Sequence, residues 1–168
     1  SDNEATNMLA DVVGLENINR RVAELGAKST MLAHLLASSK QYGERIPRLI
    51  TDWNKEGSNL TSAQDLTTLM TAIYERTAAT PRLCYLMQTI LEARGSQGPL
   101  GSALPGYATV GGKIGHIIDP HDGEDHCESV VVNRSYALTV MCNRIPLRTV
   151  KGWSPLLASG TEDEAEFE

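Results

Sequence analysis

No apolar run in this chain of 168 residues approaches the roughly 18 that a membrane-spanning helix needs. A membrane is therefore not an expected partner. Cysteine is scarce: Cys84, Cys127 and Cys142 show no C-x-x-C spacing, which excludes a disulfide framework and favours buried free thiols. Positive charge is also short. Fifteen Lys and Arg stand against 21 Asp and Glu for a net charge of -6, and the basic residues are scattered. That excludes a phosphate-binding stripe, so nucleic acid is not an expected partner. No signal-peptide pattern opens the chain, and it has no internal repeat. What remains, 41% hydrophobic and 21% charged residues, is ordinary for one globular domain able to bury a core.

Local signals divide the chain in two. Asn3 is suited to cap a helix over Glu4 to Val13, which Gly14 stops. The stretch LENINRRVAELG places Ile18, Val22 and Leu25 on one helical face and Gly26 at its end. MLAHLLA is apolar all round and reads as a short buried helix. KQYGERIPRLITDWNKEGSN reads as a long loop. In NLTSAQDLTTLMTAIYERT, Ser62 and Asp65 have the spacing of a capping box, and Leu66, Leu69, Met70 and Ile73 repeat at helical spacing. A further helix is expected from Pro81 to Arg94, with Gly95 just past its end. Residues 1–95 thus form the helical part.

GSQGPLGSALPG marks a boundary. YATVGGKIGHII, ESVVVN and YALTVMC then read as strands, with Asn133-Arg134-Ser135 as a hairpin turn. Helices followed by an antiparallel meander over 96–150 give an α+β class. Residues 151–168 end in GTEDEAEFE, an acidic run that reads as a disordered tail in solvent. A hairpin pairing Val132 with Ala137 would set Cys127 opposite Cys142. That offers a disulfide as the alternative to free thiols.

Ser1-Asp2-Asn3 at a helix start, the two helices after it, NLTSAQDLTTLMTAIY, and Lys113-Ile114-Gly115 on a strand leading a hairpin occur in an informative order. The order resembles class A β-lactamases and their relatives among the penicillin-interacting serine hydrolases, from about Ser1 to Cys142. That family arranges S-x-x-K, S-D-N and K-T-G elements around one cleft. The resemblance implies part of a β-lactamase/transpeptidase-like fold acting through an acyl-enzyme. Its substrate would be a small-molecule β-lactam or a peptide-like amide, and neither cofactor nor metal is implied. Carried over by position, Ser1 passes a proton to the leaving nitrogen and Lys113 sets the electrostatics of the cleft. Asn3 hydrogen-bonds the substrate's side-chain amide, Ile114 and Gly115 line the binding strand, and Asp2 is structural. Family habit implies a periplasmic or secreted location.

Three departures qualify that picture. Serine does not stand three residues before Lys28, Lys40, Lys55, Lys113 or Lys151, so S-x-x-K is missing. The expectation is a C-terminal portion that begins inside an active site, inactive alone, with the N-terminal part of the same protein as its partner. Leu36 occupies the position of the family's deacylating glutamate, and Glu44 and Glu56 lack the context to replace it. Ile114 replaces the hydroxyl residue that binds a substrate carboxylate. The alternative is a non-catalytic β-lactamase-like binding domain. A third reading takes the metal-ligand types of GHIIDPHDGEDHCE, from His116 through His121 to Cys127, as a metal site, against a polar turn with no geometry fixed by motif.

Overall fold

The structure, a computed structural model, describes residues 2–36, 59–93, 98–119 and 123–145, with backbone alone at 116–119, 123–124 and 144. Helix α1 (Asn3–Val13) is capped by Asp2, whose Oδ1 accepts from Ala5 N at 2.8 Å. Asn3 is therefore the first helical residue and Asp2 the cap, because Asp2 has the extended backbone that a capping residue needs. Gly14, at φ 82°, closes α1 and opens α2 (Leu15–Glu24). A side chain would strain that left-handed backbone. Arg21 Nη2 donates to Ala78 O at 2.9 Å, tying α2 to the turn between the next two helices.

Helix α3 (Ala63–Tyr74) begins with Ser62 Oγ accepting from Asp65 N. The reciprocal half of a capping box is missing, because Asp65 turns its carboxylate to Ser29 N and Thr30 Oγ1 instead. Helix α4 (Pro81–Glu92) is capped by Thr80, and it ends before Gly95, which lies outside the described residues. Its buried Gln88 donates to Ile73 O at 2.8 Å and to Tyr74 O at 3.3 Å, adding side-chain bonds to the last carbonyls of α3. The segment expected to be a boundary loop contains one helical turn, α5 (Pro99–Ala103). Pro99 at the first helical position and the Glu128 carboxylate, which accepts from Leu100 N and Gly101 N, explain it.

MLAHLLA is not a helix over the residues described. Met31 forms an isolated bridge to Leu60, and 32–36 are irregular. Composition suggested burial, but Met31 is exposed, and side chains from elsewhere take the backbone bonds.

The sheet is antiparallel in the order β1 (Val110–Asp119), β2 (Gly123–Val132), β3 (Tyr136–Ile145). Val130 and Val131 are both buried. They point to opposite faces, so the central strand is covered on both sides. Helices α3 and α4 cover the face that carries Gly111, Val131 and Ala137, and α5 lies against the face that carries Glu128. Gly111 is required by sterics: a Cβ there would sit 1.8 Å from Tyr74 Oη. That phenol is buried with no hydrogen-bond partner among the described residues, and burial, then the nearby Glu92 carboxylate, push its pKa up to about 12.

The hairpin turn is as expected, with Asn133 and Arg134 at positive φ, but its register is not the one that joins the cysteines. Val132 faces Tyr136, so Cys127 faces Met141 and Cys142 faces His126. A one-residue shift moves side chains to opposite faces, and all three cysteines are free. Arg134 forms a two-bond bridge to Glu92 on α4, both bonds 2.8 Å. It holds the Glu92 carboxyl below its ordinary 4.5.

Two predictions follow from these contacts. Gly111→Ala should lower stability by about 1–3 kcal/mol in chemical denaturation through overpacking, whereas Tyr74→Phe, which removes an unbonded hydroxyl, should not. A depressed carboxylate contributes stability above its ordinary value and loses it as pH falls through the lowered one. The difference in denaturation midpoint between wild type and Arg134→Met should therefore be largest above pH 4.5 and shrink in stronger acid.

Candidate functional site

The residues picked from sequence lie on two elements. Asp2 and Asn3 form the exposed start of α1, and Lys113, Ile114 and Gly115 occupy the middle of β1. Ser1 lies outside the described residues, as do Glu44, Glu56 and the tail. Strand β1 has β2 as its only neighbour among the described strands, so the Lys-x-Gly segment runs along an edge. Lys113 is exposed, and its ammonium donates to the Ile114 carbonyl. Open space lies over Gly115, where a Cβ would meet nothing within 4 Å. Across from Gly115 stands Cys127, on the same face as Lys113. Burial raises its thiol pKa; Lys113 opposes that rise and Glu128 adds to it.

Ile114 projects to the other face of the sheet, opposite Glu128. Glu128 is fully buried, fixed by the two amides of α5, with His126 Nε2 3.8 Å from its carboxylate. Gly98 must be glycine here, since a Cβ would lie 2.2 Å from that carboxylate.

The segment preceding the undescribed stretch is held by three asparagines. Asn19 accepts from Leu32 N and donates to Leu32 O, both at 2.8 Å. Asn59 accepts from Ala33 N and His34 N and donates to His34 O. Asn7, itself buried, accepts from Leu36 N at 2.7 Å and donates to Leu36 O at 2.9 Å. A carboxamide offers the same donor and acceptor as a peptide group, so each acts as a substitute strand partner. Asn7 is one helical turn from Asn3, which puts Leu36 beside the start of α1.

A model of the beta-lactamase enzyme family matches residues 1–151. The chain belongs to that family. No curated protein matches it. Among solved structures it is similar to a β-lactamase from Sphaerobacter thermophilus, with 24% identity, a TM-score of 0.64, and coverage of 87% of this chain and 51% of that one. It is similar to PBP-A at 23% identity and TM-score 0.60, covering 93% of this chain and 55% of that one. It also resembles a PBP-A mutant in an acyl-enzyme complex with penicillin G, at 22% identity and TM-score 0.57, with coverage of 93% and 55%. At these identities the likeness is one of fold. The chain spans about half the length of these relatives.

Within this β-lactamase-like fold, Asn7, Asn19 and Asn59 were not legible from sequence as supports. The available signal was an asparagine inside an amphipathic helix, at Asn7 and Asn19. Glu128 carried a weaker one, a carboxylate two residues before three consecutive valines. The metal-ligand types of 116–127 lie mainly in paired strands, and among the described residues no three such side chains gather. His121 is outside the described residues.

Asn7→Ala should release Leu36. Losing a two-bond buried clamp lowers the local opening free energy by about 1–3 kcal/mol, so hydrogen exchange at the Leu36 amide should quicken about 5- to 150-fold. The Leu32 amide, held by Asn19, is the internal control. Equal acceleration at both would show that Asn7 holds no particular residue.

Proposed function

We propose that the protein carrying this chain is a serine hydrolase of the β-lactamase or penicillin-interacting type. It acts through an acyl-enzyme on a β-lactam or related amide. The observation that carries this is the exposed Lys113 on an edge strand, with open space at Gly115, in a chain of this family. An edge strand offers unpaired backbone groups to an amide substrate, and Lys113 supplies positive charge where an anion forms in the transition state. Ser1 passes the proton to the leaving nitrogen, Asn3 holds the substrate amide, and Asp2 fixes the helix start beneath them. The helices of 1–95 and the strands of 96–150 act as one domain.

The N-terminal part of the same protein is the proposed partner and the source of the nucleophilic serine. Two features support it besides the share of the relatives' length that is covered. Met8, Leu9 and Val12 are 56%, 67% and 85% exposed on α1, an apolar stripe that a second layer would cover. Strand β3 also has an outer edge with no strand beside it among the described residues.

Leu36 is central to the turnover expected. An aliphatic side chain cannot activate water, so the acyl-enzyme should form and persist. That observation, with Ile114 unable to hydrogen-bond a carboxylate, also favours a second reading, a non-catalytic binding domain. Labelling of the full-length protein with a fluorescent penicillin separates the two. We expect one serine to be labelled and to stay labelled through a long chase. Lys113→Ala should slow labelling by at least about tenfold, the loss of one electrostatic contact to the transition state. A wild-type protein that binds penicillin without covalent labelling would leave the binding domain as the function.

A further inference from the structure

Two rows of side chains cross the sheet at the Lys-x-Gly segment. On the helix-facing side Lys113 stands opposite Ser129, and Ser129 opposite Thr139. On the other side Ile114 stands opposite Glu128, and Glu128 opposite Val140. A substrate laid along the β1 edge as an added strand meets both rows, because strand side chains alternate between faces. It passes Lys113 and Gly115 on one side and the half-buried Ile114 on the other.

The Ile114 side is unsuited to a negative group. Ile114 offers no hydrogen bond, and the residue directly across from it is Glu128. That carboxylate is buried and held in place. Its Oε2 accepts from Leu100 N at 2.8 Å, its Oε1 from Gly101 N at 3.1 Å, and Gly98 packs against it. Among the described residues, neither the strand positions that share this face nor the segment 98–109 around α5 includes a Lys or Arg. His126 Nε2 faces the carboxylate itself at 3.8 Å, so any charge gained there is taken up by Glu128. The Glu128 charge also reaches beyond its own surroundings. Burial is the first cause that raises the Cys127 thiol pKa; Lys113 opposes the rise, and Glu128 adds to it from the other face. Like charges repel over such separations where water is largely excluded.

We infer that the substrate presents an uncharged amide or ester beside Ile114 rather than a free carboxylate, and that Ile114 and Glu128 set this preference. The inference rests on the reading of the β1 edge as the substrate strand. Lys113 does not reverse it, since the lysine belongs to the other row and its ammonium is turned to the Ile114 carbonyl. A peptide-like substrate is accordingly attacked within a longer chain or at a blocked end, not beside a free C-terminus.

The test compares, on the full-length protein, a fluorescent penicillin with its methyl ester, which differ by one charge and one methyl group. The ester should label the wild type at least about tenfold faster, the effect of removing one like-charge contact in a partly dry site. Ile114→Thr supplies a hydroxyl, and Glu128→Gln removes the charge at nearly constant size. Each should bring the ester-to-acid ratio below about threefold. Circular dichroism checks that the variants fold, and Ile114→Thr decides should Glu128→Gln unfold. An acid that labels the wild type as fast as the ester overturns the inference. So does an ester preference that survives unchanged in every folded variant. Where neither probe labels a serine, the proposed function fails, and equilibrium binding read by fluorescence polarisation decides instead. An ester held about tenfold more tightly than the acid then supports the inference, and equal affinity, or no binding of either, overturns it.

Discussion

Amide-to-amide bonding by asparagine is the constraint on which the helical half depends. Beyond the Met31 bridge, residues 32–36 have neither helix nor sheet to satisfy their backbone, and unsatisfied backbone polar groups are costly wherever water is excluded. Asn7 on α1, Asn19 on α2 and Asn59 before α3 each supply the missing partner. Asp65 continues the pattern at Ser29 and Thr30. A segment without regular structure thereby becomes the part that ties three helical regions together. The same bonds position Leu36, the residue on which the expected slow turnover depends.

The sheet half is organised by a different economy, in which small residues make room for large ones. Gly111 admits Tyr74, and Gly98 admits the Glu128 carboxylate. Each close approach fixes an element beside the Lys-x-Gly strand: α3 through the tyrosine, and α5 through the glutamate. Arg134 and Glu92 then pin the far hairpin to α4. These contacts lie within two residues of Lys113 along β1, at Gly111, or directly across from Ile114, at Glu128.

Much of this was legible in sequence because the signals were local. Gly14 and Gly26 punctuated the first helices, Ser62 and Pro81 opened the later ones, and Asn133-Arg134-Ser135 announced the hairpin. Family membership came from the order of short motifs, each weak alone. What was not legible depended on partners distant in the chain. Composition made MLAHLLA a buried helix, since nothing nearby reveals that asparagines 12 or more positions away, at 7, 19 and 59, would claim its backbone. Asp65 looked like half of a capping box because its real partners are Ser29 and Thr30. The register of the second hairpin escaped for a narrower reason: a difference of one residue in loop length, invisible to propensity, decides which cysteines face each other.

That last feature reaches further than the cysteines. Strand side chains alternate, so the parity of the turn at 133–135 decides which half of β3 looks inward. In the observed parity Thr139 joins Ser129 and Thr67, while Leu138 and Val140 face away. Insert or delete one turn residue and the inward set becomes the outward one: aliphatic side chains would replace the threonine in Lys113's row, with no residue of that row changed. The chemistry beside the lysine is thus encoded partly in a count, made at a turn two strands away.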